Sequence, residues 1–172
     1  MKKNTIRIKK FNKRLINDNY LSWFSDREIN KYTDQYFFKH SISSLKNYLE
    51  NINRSKVNFL YSIEVLNDKK FIHVGNIKLG PINFLHQHSQ ISYLIGNKKF
   101  WGLGIATYSL KRMIKIAKKE FKIKKLIAGS NSMNSASIKV LEKSGFIREG
   151  VQISYGKYKN KRFDNYIFGL IT

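Results

Sequence analysis

The sequence predicts an α/β domain, a mixed and mostly antiparallel sheet flanked by about four helices. Two hairpin-like pairs of period-two segments, one turning near Asp68 and one near Asn160, account for the antiparallel part. A strand-like run, two glycines and a long amphipathic helix pattern account for the α/β part. The 172 residues include one proline and no Gly/Ser-rich linker, so a single domain over residues 1–172 is expected. A hydrophobic content of 42% is enough for such a domain to build a core.

Residues 5–11 (TIRIKKF) alternate apolar and polar, which predicts a first, half-buried strand. Residues 12–34 carry Leu15, Ile16, Tyr20, Leu21, Trp23, Phe24 and Ile29, broken by Ser25-Asp26, the pattern of one or two short helices. Residues 41–53 predict another helix, capped by Ser41 or Ser43, with Ile42, Leu45, Tyr48, Leu49 and Ile52 at three- and four-residue steps. From Asn58 the period becomes two. Phe59, Tyr61, Ile63 and Val65 mark one strand face, residues 67–70 (NDKK) turn, and residues 71–79 return as the hairpin partner. Gly80-Pro81 is expected to break that pairing. Residues 89–95 form a further strand that runs into the glycines. Next, Ala106, Leu110, Met113, Ile114, Ala117 and Phe121 line one helix stripe, opposite Lys111, Arg112, Lys115, Lys118 and Lys119. Residues 124–129 (KKLIAG) predict a short buried strand, and residues 134–144 a helix closed by Gly145. Residues 146–157 and 162–171 predict a closing hairpin around the basic turn 158–161.

Cysteine is absent, which removes disulfides, thiolate metal sites and a cysteine nucleophile together. The opening run MKKNTIRIKKF is charged and alternating and lacks the apolar core of a signal peptide. No apolar run approaches the roughly 20 residues that span a bilayer, so a cytoplasmic protein with no membrane partner is expected. The formal net charge of +22 raises a nucleic-acid reading. Against it, the lysines are scattered along the whole chain and no nucleic-acid module is legible, so nucleic acid is not an expected partner. An anionic small molecule explains the sign of the charge equally well.

Residues 98–107 (KKFWGLGIAT) carry the chemistry. Two glycines one residue apart let backbone N–H groups turn toward an anion, and the following helix adds its free donors and positive dipole end. A P-loop ends in Gly-Lys-Ser/Thr, which Gly104-Ile105 does not match. A dinucleotide turn wants a third glycine at Thr107 and an acidic residue at the end of the next strand, where Gly129-Ser130 stands. A third pattern fits. Lys99-Phe100-Trp101-Gly102-Leu103-Gly104 has the form Q/R-x-x-G-x-G/A, with lysine first, and Trp101-Gly102-Leu103-Gly104-Ile105-Ala106-Thr107 leads into the helix. Downstream stand Asn134-Ser135-Ala136-Ser137 (N-x-x-S) and Glu142-Lys143-Ser144-Gly145-Phe146 (E-K-x-G-F), and upstream stands Gly75-Asn76-Ile77 (G-x-I). On these blocks the chain resembles the GCN5-related N-acetyltransferases, in the branch of the ribosomal-protein N-terminal acetyltransferases. The resemblance is close from about Val74 onward and loose before it.

That resemblance implies a sheet with a central splay, acetyl-CoA as co-substrate, and no metal. It places the diphosphate on the loop formed by Lys99, Trp101, Gly102, Leu103, Gly104, Ile105 and Ala106, with the Thr107 hydroxyl added at the helix start. The pantetheine arm is expected between the strand ending at Ile95 and the strand 125–128, where Leu94, Ile95 and Gly96 offer main-chain groups, one N–H polarising the thioester carbonyl. Asn131 and Asn134 are expected to bond the arm, Asn134 also as an N-cap, and Lys143 is carried over with its block as a cofactor contact. Family position makes Ser137 both a cofactor contact and the proton donor to the leaving thiolate, with Tyr155 and Tyr166 as alternative hydroxyls. Three positions depart from the pattern. Lys99 lacks the guanidinium fork of arginine. Tyr108 replaces a common glutamate and is expected on the helix surface. Gln90 replaces the glutamate that many members carry as a general base. His86 and His88 are the nearby groups that could serve instead, and two histidines without a third ligand make no metal site.

The resemblance makes the acceptor an amine, on a small molecule or a peptide. Residues 19–32 (NYLSWFSDREINKY) resemble members that acetylate amino groups on nucleotide-linked sugars for surface glycans. Trp23, Tyr32, Tyr36 and Phe37 either stack a base or sugar ring or belong to the core. The positive charge favours an anionic acceptor over a polyamine or aminoglycoside. Two alternatives stay open: an N-terminal acetyltransferase of a ribosomal or other protein, and a non-catalytic basic binding module. The oligomeric state is not legible, a homodimer being one option.

Overall fold

A computed structural model describes residues 5–172 of the chain. Residues 1–4, the start of the charged N-terminal run, lie outside the described residues. Strand β1 (Ile6–Lys10) pairs antiparallel with β2 (Phe59–Asn67), placing Ile8 opposite Ile63. Between them in sequence runs an arm of helices α1 (Asp18–Ser25), α2 (Arg27–Asn30) and α3 (Ile42–Arg54), with 3₁₀ turns at Lys13–Leu15 and Asp34–Phe37. Local chemistry starts each helix. Asn17 accepts from the Tyr20 N–H, Asp26 from those of Glu28 and Ile29, and Ser41 and Ser44 cap one another reciprocally.

Strands β3 (Lys70–Asn83) and β4 (His88–Ile95) follow, then helix α4 (Ile105–Phe121), β5 (Lys125–Asn131), α5 (Ser135–Lys143), β6 (Ile147–Tyr158) and β7 (Lys161–Ile171). They form one seven-stranded sheet in the order β1-β2-β3-β4-β5-β7-β6. Every neighbouring pair is antiparallel except β4 and β5, so the sheet is mixed and mostly antiparallel as expected.

Alternation along the strands divides the core into two layers. On β2, Phe59, Tyr61 and Ile63 belong to the larger cluster, which α4 and α5 cover, whereas Leu60 joins the arm cluster of Phe11, Tyr20, Trp23, Leu45 and Leu49. The predicted stripe of α4 is confirmed: Leu110, Met113 and Ala117 are wholly buried. Burying each of the two larger side chains is worth about 1.5–3 kcal/mol. The arm cluster is aromatic, with the Tyr20 ring 5.3 Å from both Phe11 and Trp23. The second 3₁₀ turn of the arm reaches the closing hairpin, where Tyr36 and Tyr158 rings lie 5.0 Å apart.

Two local expectations change. Gly80-Pro81 ends pairing with β2 at Leu79 but not the strand itself, because β3 resumes with Ile82 opposite Ser89 on β4. The proline, lacking an N–H, falls at the irregularity where no ladder bond is asked of it, and the Ile82 N–H finds the Val57 carbonyl at 2.8 Å. Tyr108 is half-buried and packs against the main core instead of lying on the helix surface.

The sheet is also splayed. β4 and β5 pair only through His88–Lys125, Ser89–Leu126 and Gln90–Ile127, after which β4 continues to Ile95 and β5 to Asn131 unpaired with one another.

Candidate functional site

A cleft of about 730 Å³ opens where β4 and β5 part. Its sides are β4 (Ile91 to Leu94) and the end of β5 with the first turn of α5 (Asn131, Asn134, Ser137), and the arm with Tyr48 of α3 closes one end. Tyr155 and Phe163 of the closing hairpin complete the wall. Asp34 and Lys78 are the charged residues on this surface, so the cleft of a chain with net charge +22 is close to neutral.

Beyond the end of β4 the chain makes a 3₁₀ turn, Lys98–Phe100, and enters α4 through Gly102 (φ +73°) and Gly104 (φ +76°). A Cβ at either glycine would meet nothing within 4 Å, so the left-handed dihedrals, not crowding, demand glycine, and open space lies in front of the loop. The first main-chain bond of α4 runs from Tyr108 N–H to Gly104 carbonyl. The N–H groups of Ile105, Ala106 and Thr107 therefore have no partner within the helix. Ile105 is buried and anchors this turn, while Gly102, Leu103 and Gly104 are exposed. Convergent free donors, a helix dipole and open space fit a diphosphate.

Flanking side chains brace the loop. Trp101 donates its indole N–H to the Ile95 carbonyl at 2.8 Å, a tie from loop to strand end that carries no sequence signal. Lys98 reaches back to Asp26 (2.8 Å) and Glu28 (3.0 Å) of the arm, and this contact holds the Asp26 carboxyl below its ordinary pKa. Lys99 and Trp101 are exposed, and Ala106 and Thr107 are half-buried at the helix start.

Main-chain geometry corrects the expected strand contacts. The Gly96 N–H is spent on the Val74 carbonyl (2.9 Å). Alternation along an antiparallel pair then turns the Leu94 main-chain groups toward β3 as well, so Leu94 offers the cleft only its side chain. The same alternation turns Tyr93 and Ile95 main-chain groups toward the open β5 side, where the Ile95 carbonyl is already held by Trp101.

On the opposite wall, Asn131 is buried, its Oδ1 accepting from Met133 N–H (2.8 Å) and its Nδ2 without a protein partner among the described residues. Asn134 caps α5, accepting from Ser137 N–H at 3.0 Å. The Ser137 hydroxyl lies 3.0 Å from the Tyr93 hydroxyl, which also stands 3.1 Å from the Ser137 carbonyl. Burial pushes the Tyr93 pKa up to about 12, the Ser137 contact opposing it, so the phenol stays protonated at neutral pH. Tyr93 and Ser137 come from elements 44 residues apart, and no local pattern announces the pair.

Other expected residues are not brought in. Lys143 is exposed in the last turn of α5, about 9 Å along the helix axis from Ser137 at 1.5 Å per residue, and does not line the cleft. Of the two tyrosines, Tyr155 lines the cleft, whereas Tyr166 lies away from it under the Arg148 guanidinium. Gln90 and His88 face a separate hollow beside Pro81 and Phe84, and His86 is exposed on the β3–β4 turn. The histidine that does reach the cleft is His40, which the sequence reading passed over. No group of three or more His, Cys, Asp or Glu side chains is placed to hold a metal ion among the described residues. No helix among them is long and apolar enough to cross a membrane.

A family model for the acetyltransferase (GNAT) domain matches residues 6–147. The uncharacterized N-acetyltransferase p20 of Bacillus licheniformis is 26% identical over 152 residues, 87% of this chain and 83% of that protein. Among solved structures, the spermidine N-acetyltransferase of Vibrio cholerae, in complex with CoA and spermine, superposes with a TM-score of 0.86 at 15% identity, over 98% of this chain and 96% of that one. The ribosomal L7/L12 α-N-protein acetyltransferase RimL, in complex with CoA, superposes at 0.83 with 14% identity, over 97% and 94% of the two chains.

Proposed function

The chain belongs to the GNAT acetyltransferase family and is an acetyl-CoA-dependent N-acetyltransferase; from that premise we propose that its acceptor is an amine on a nucleotide-linked sugar. The observation that carries the choice is the near-neutral, ring-walled cleft in a strongly basic chain. A polyamine is a multiple cation and requires several carboxylates when it is desolvated. Asp34 is the one carboxylate that the cleft offers among the described residues. A sugar asks instead for neutral hydrogen-bonding groups and ring faces, and the diphosphate of a nucleotide gains from the basic surface outside.

When bound, acetyl-CoA supplies a thioester whose carbonyl carbon the amine attacks. The 102–107 loop holds its diphosphate through main-chain N–H groups at the start of α4. The open edge of β4, with the Tyr93 and Ile95 N–H groups, borders the pantetheine arm, and Asn131 Nδ2 faces it from β5. The Ile95 N–H is the donor we assign to the thioester oxygen, since the Gly96 N–H is engaged with Val74. Ser137 gives its proton to the leaving thiolate and regains one through water, which carries off the proton that the attacking amine sheds. Tyr93, within hydrogen-bond reach, holds the serine hydroxyl in place. Holding amine and thioester together in one cleft supplies much of the rate advantage.

Incubating the protein with acetyl-CoA and UDP- and dTDP-linked 4-amino sugars, with thiol release as the readout, tests the acceptor. Turnover with these sugars and none with spermidine is the expected result. Activity confined to peptide N-termini would replace the sugar reading by a protein N-terminal acetyltransferase.

A further inference from the structure

Two buried polar atoms at the arm end of the cleft have no protein partner among the described residues: Asn30 Oδ1 and His40 Nε2. Both residues line the cleft. Asn30 is 1% exposed, at the end of α2. Its amide nitrogen donates to two main-chain carbonyls, Trp23 at 2.6 Å and Asp26 at 2.9 Å. Flipping the amide would set its oxygen against both carbonyls, so the orientation is forced and the free atom is an acceptor. A buried acceptor without a donor costs stability, and such an atom in a native cavity takes its donor from water or from a ligand that displaces it.

His40 sits just before the N-cap of α3, its ring packed 4.8 Å from the Phe24 ring. Burial holds its pKa below the ordinary histidine value, so at neutral pH the imidazole is uncharged. An uncharged histidine and a carboxamide oxygen bond hydroxyls well and bring no positive charge to hold a phosphate or carboxylate. Tyr48 adds an aromatic face to the same end of the cleft.

We propose that Asn30 and His40 form the acceptor subsite of the cleft and hydrogen-bond a hydroxyl-bearing, uncharged ring, the chemistry of a sugar. The assignment rests on the acetyltransferase reading of the cleft and names the part of the acceptor that enters it. Asn30 Oδ1 takes an O–H donor of the ring, and His40 Nε2 gives or takes a second bond according to its tautomer. The negatively charged portion of the acceptor stays outside, against the basic surface.

The test compares acetyl transfer to a dTDP-linked 4-amino sugar with transfer to the same compound lacking one ring hydroxyl, in the full chain and in Asn30→Leu, His40→Phe and His40→Gln. The unaltered protein is expected to favour the hydroxylated compound by about tenfold in kcat/KM, the worth of one hydrogen bond to a buried group. Asn30→Leu and His40→Phe should bring that ratio toward one, and His40→Gln, which keeps a polar atom, should restore part of it. Affinity for CoA, read by calorimetry, should stay the same throughout. A merely structural role would lower both rates and leave the ratio alone, and that result would overturn the proposal. Should Asn30→Leu fail to fold, the His40 pair decides by the same ratio. Acetylation of cyclohexylamine or of peptides in place of the sugar sinks this subsite and leaves the acetyltransferase reading intact. Failure to bind acetyl-CoA sinks both.

Discussion

At the scale of single residues, the cleft depends on pairs that only folding brings together. Tyr93 and Ser137 are the clearest case, a phenol and a hydroxyl 3.0 Å apart. Replacing Tyr93 by Phe should lower kcat about fivefold, the equivalent of roughly 1 kcal/mol for a lost neutral hydrogen bond, with CoA affinity unchanged. Steady-state kinetics beside calorimetry separates the two, and a change confined to CoA affinity would contradict the positioning role. His73 gives a second prediction. Burial lowers its pKa despite its contacts with Asn76 Oδ1 (2.8 Å) and the Gly75 carbonyl, so the folded chain holds it neutral. Burial lowers the His40 pKa in the same direction. For both, the unfolded chain binds a proton more readily than the folded one, so stability is full above the ordinary histidine pKa and falls as pH drops through it. The melting temperature should therefore decline between pH 8 and pH 5.5, and His73→Gln should flatten the decline. A melting temperature independent of pH over this range would refute the account.

At the scale of elements, the turn that leads into α4 and the start of α2 are joined by ion pairs. Gly104 holds φ +76° with open space before it, so Gly104→Glu places both a strained backbone and a carboxylate where the diphosphate is expected. CoA binding should disappear while the far-ultraviolet dichroism stays native, because Ile105 and the stripe below it still anchor the helix. Retained CoA affinity would move the phosphate site elsewhere. The Lys98 bridge to Asp26 and Glu28 links this loop to the helix that carries Asn30. An exposed bridge is worth about 0–1 kcal/mol, so Lys98→Ala should barely change the melting temperature. It should instead raise amide exchange over residues 26–30, the segment whose outer anchor is lost.

At the scale of the whole molecule, the charge governs behaviour more than the fold does. With 33 Lys and Arg against 11 Asp and Glu, self-repulsion opposes the compact state, and added salt screens it. Raising ionic strength from about 0.05 to 0.5 M should increase the melting temperature while weakening CoA affinity, since the cofactor is an anion. Opposite responses of these two quantities are the signature to seek. A joint rise would refute the attraction of CoA, and a joint fall would refute the self-repulsion.

Local rules made most of the elements legible before folding was considered. The α4 stripe, the glycine turn before it, the serine cap of α3 and both hairpins follow from period, capping and dihedral preference, which neighbouring residues decide among themselves. The same locality made the family blocks at residues 99–107 and 134–146 readable, and with them acetyl-CoA as donor. Locality failed wherever two distant elements share one atom. The assignment of Leu94 and Gly96 main-chain groups required the β3–β4 register, which sends them to β3. Choosing Tyr155 over Tyr166, and setting aside His86, His88 and Lys143, depended on which face of each element looks into the splay. Tyr93 and His40 entered only because β4 lies beside α5 and the arm folds over the cleft. The sequence by itself determined the donor half of the chemistry, because a phosphate loop is a contiguous backbone device. Only the tertiary structure decided which side chains wall the cleft, because a pocket is formed by side chains that the chain brings together only at long range.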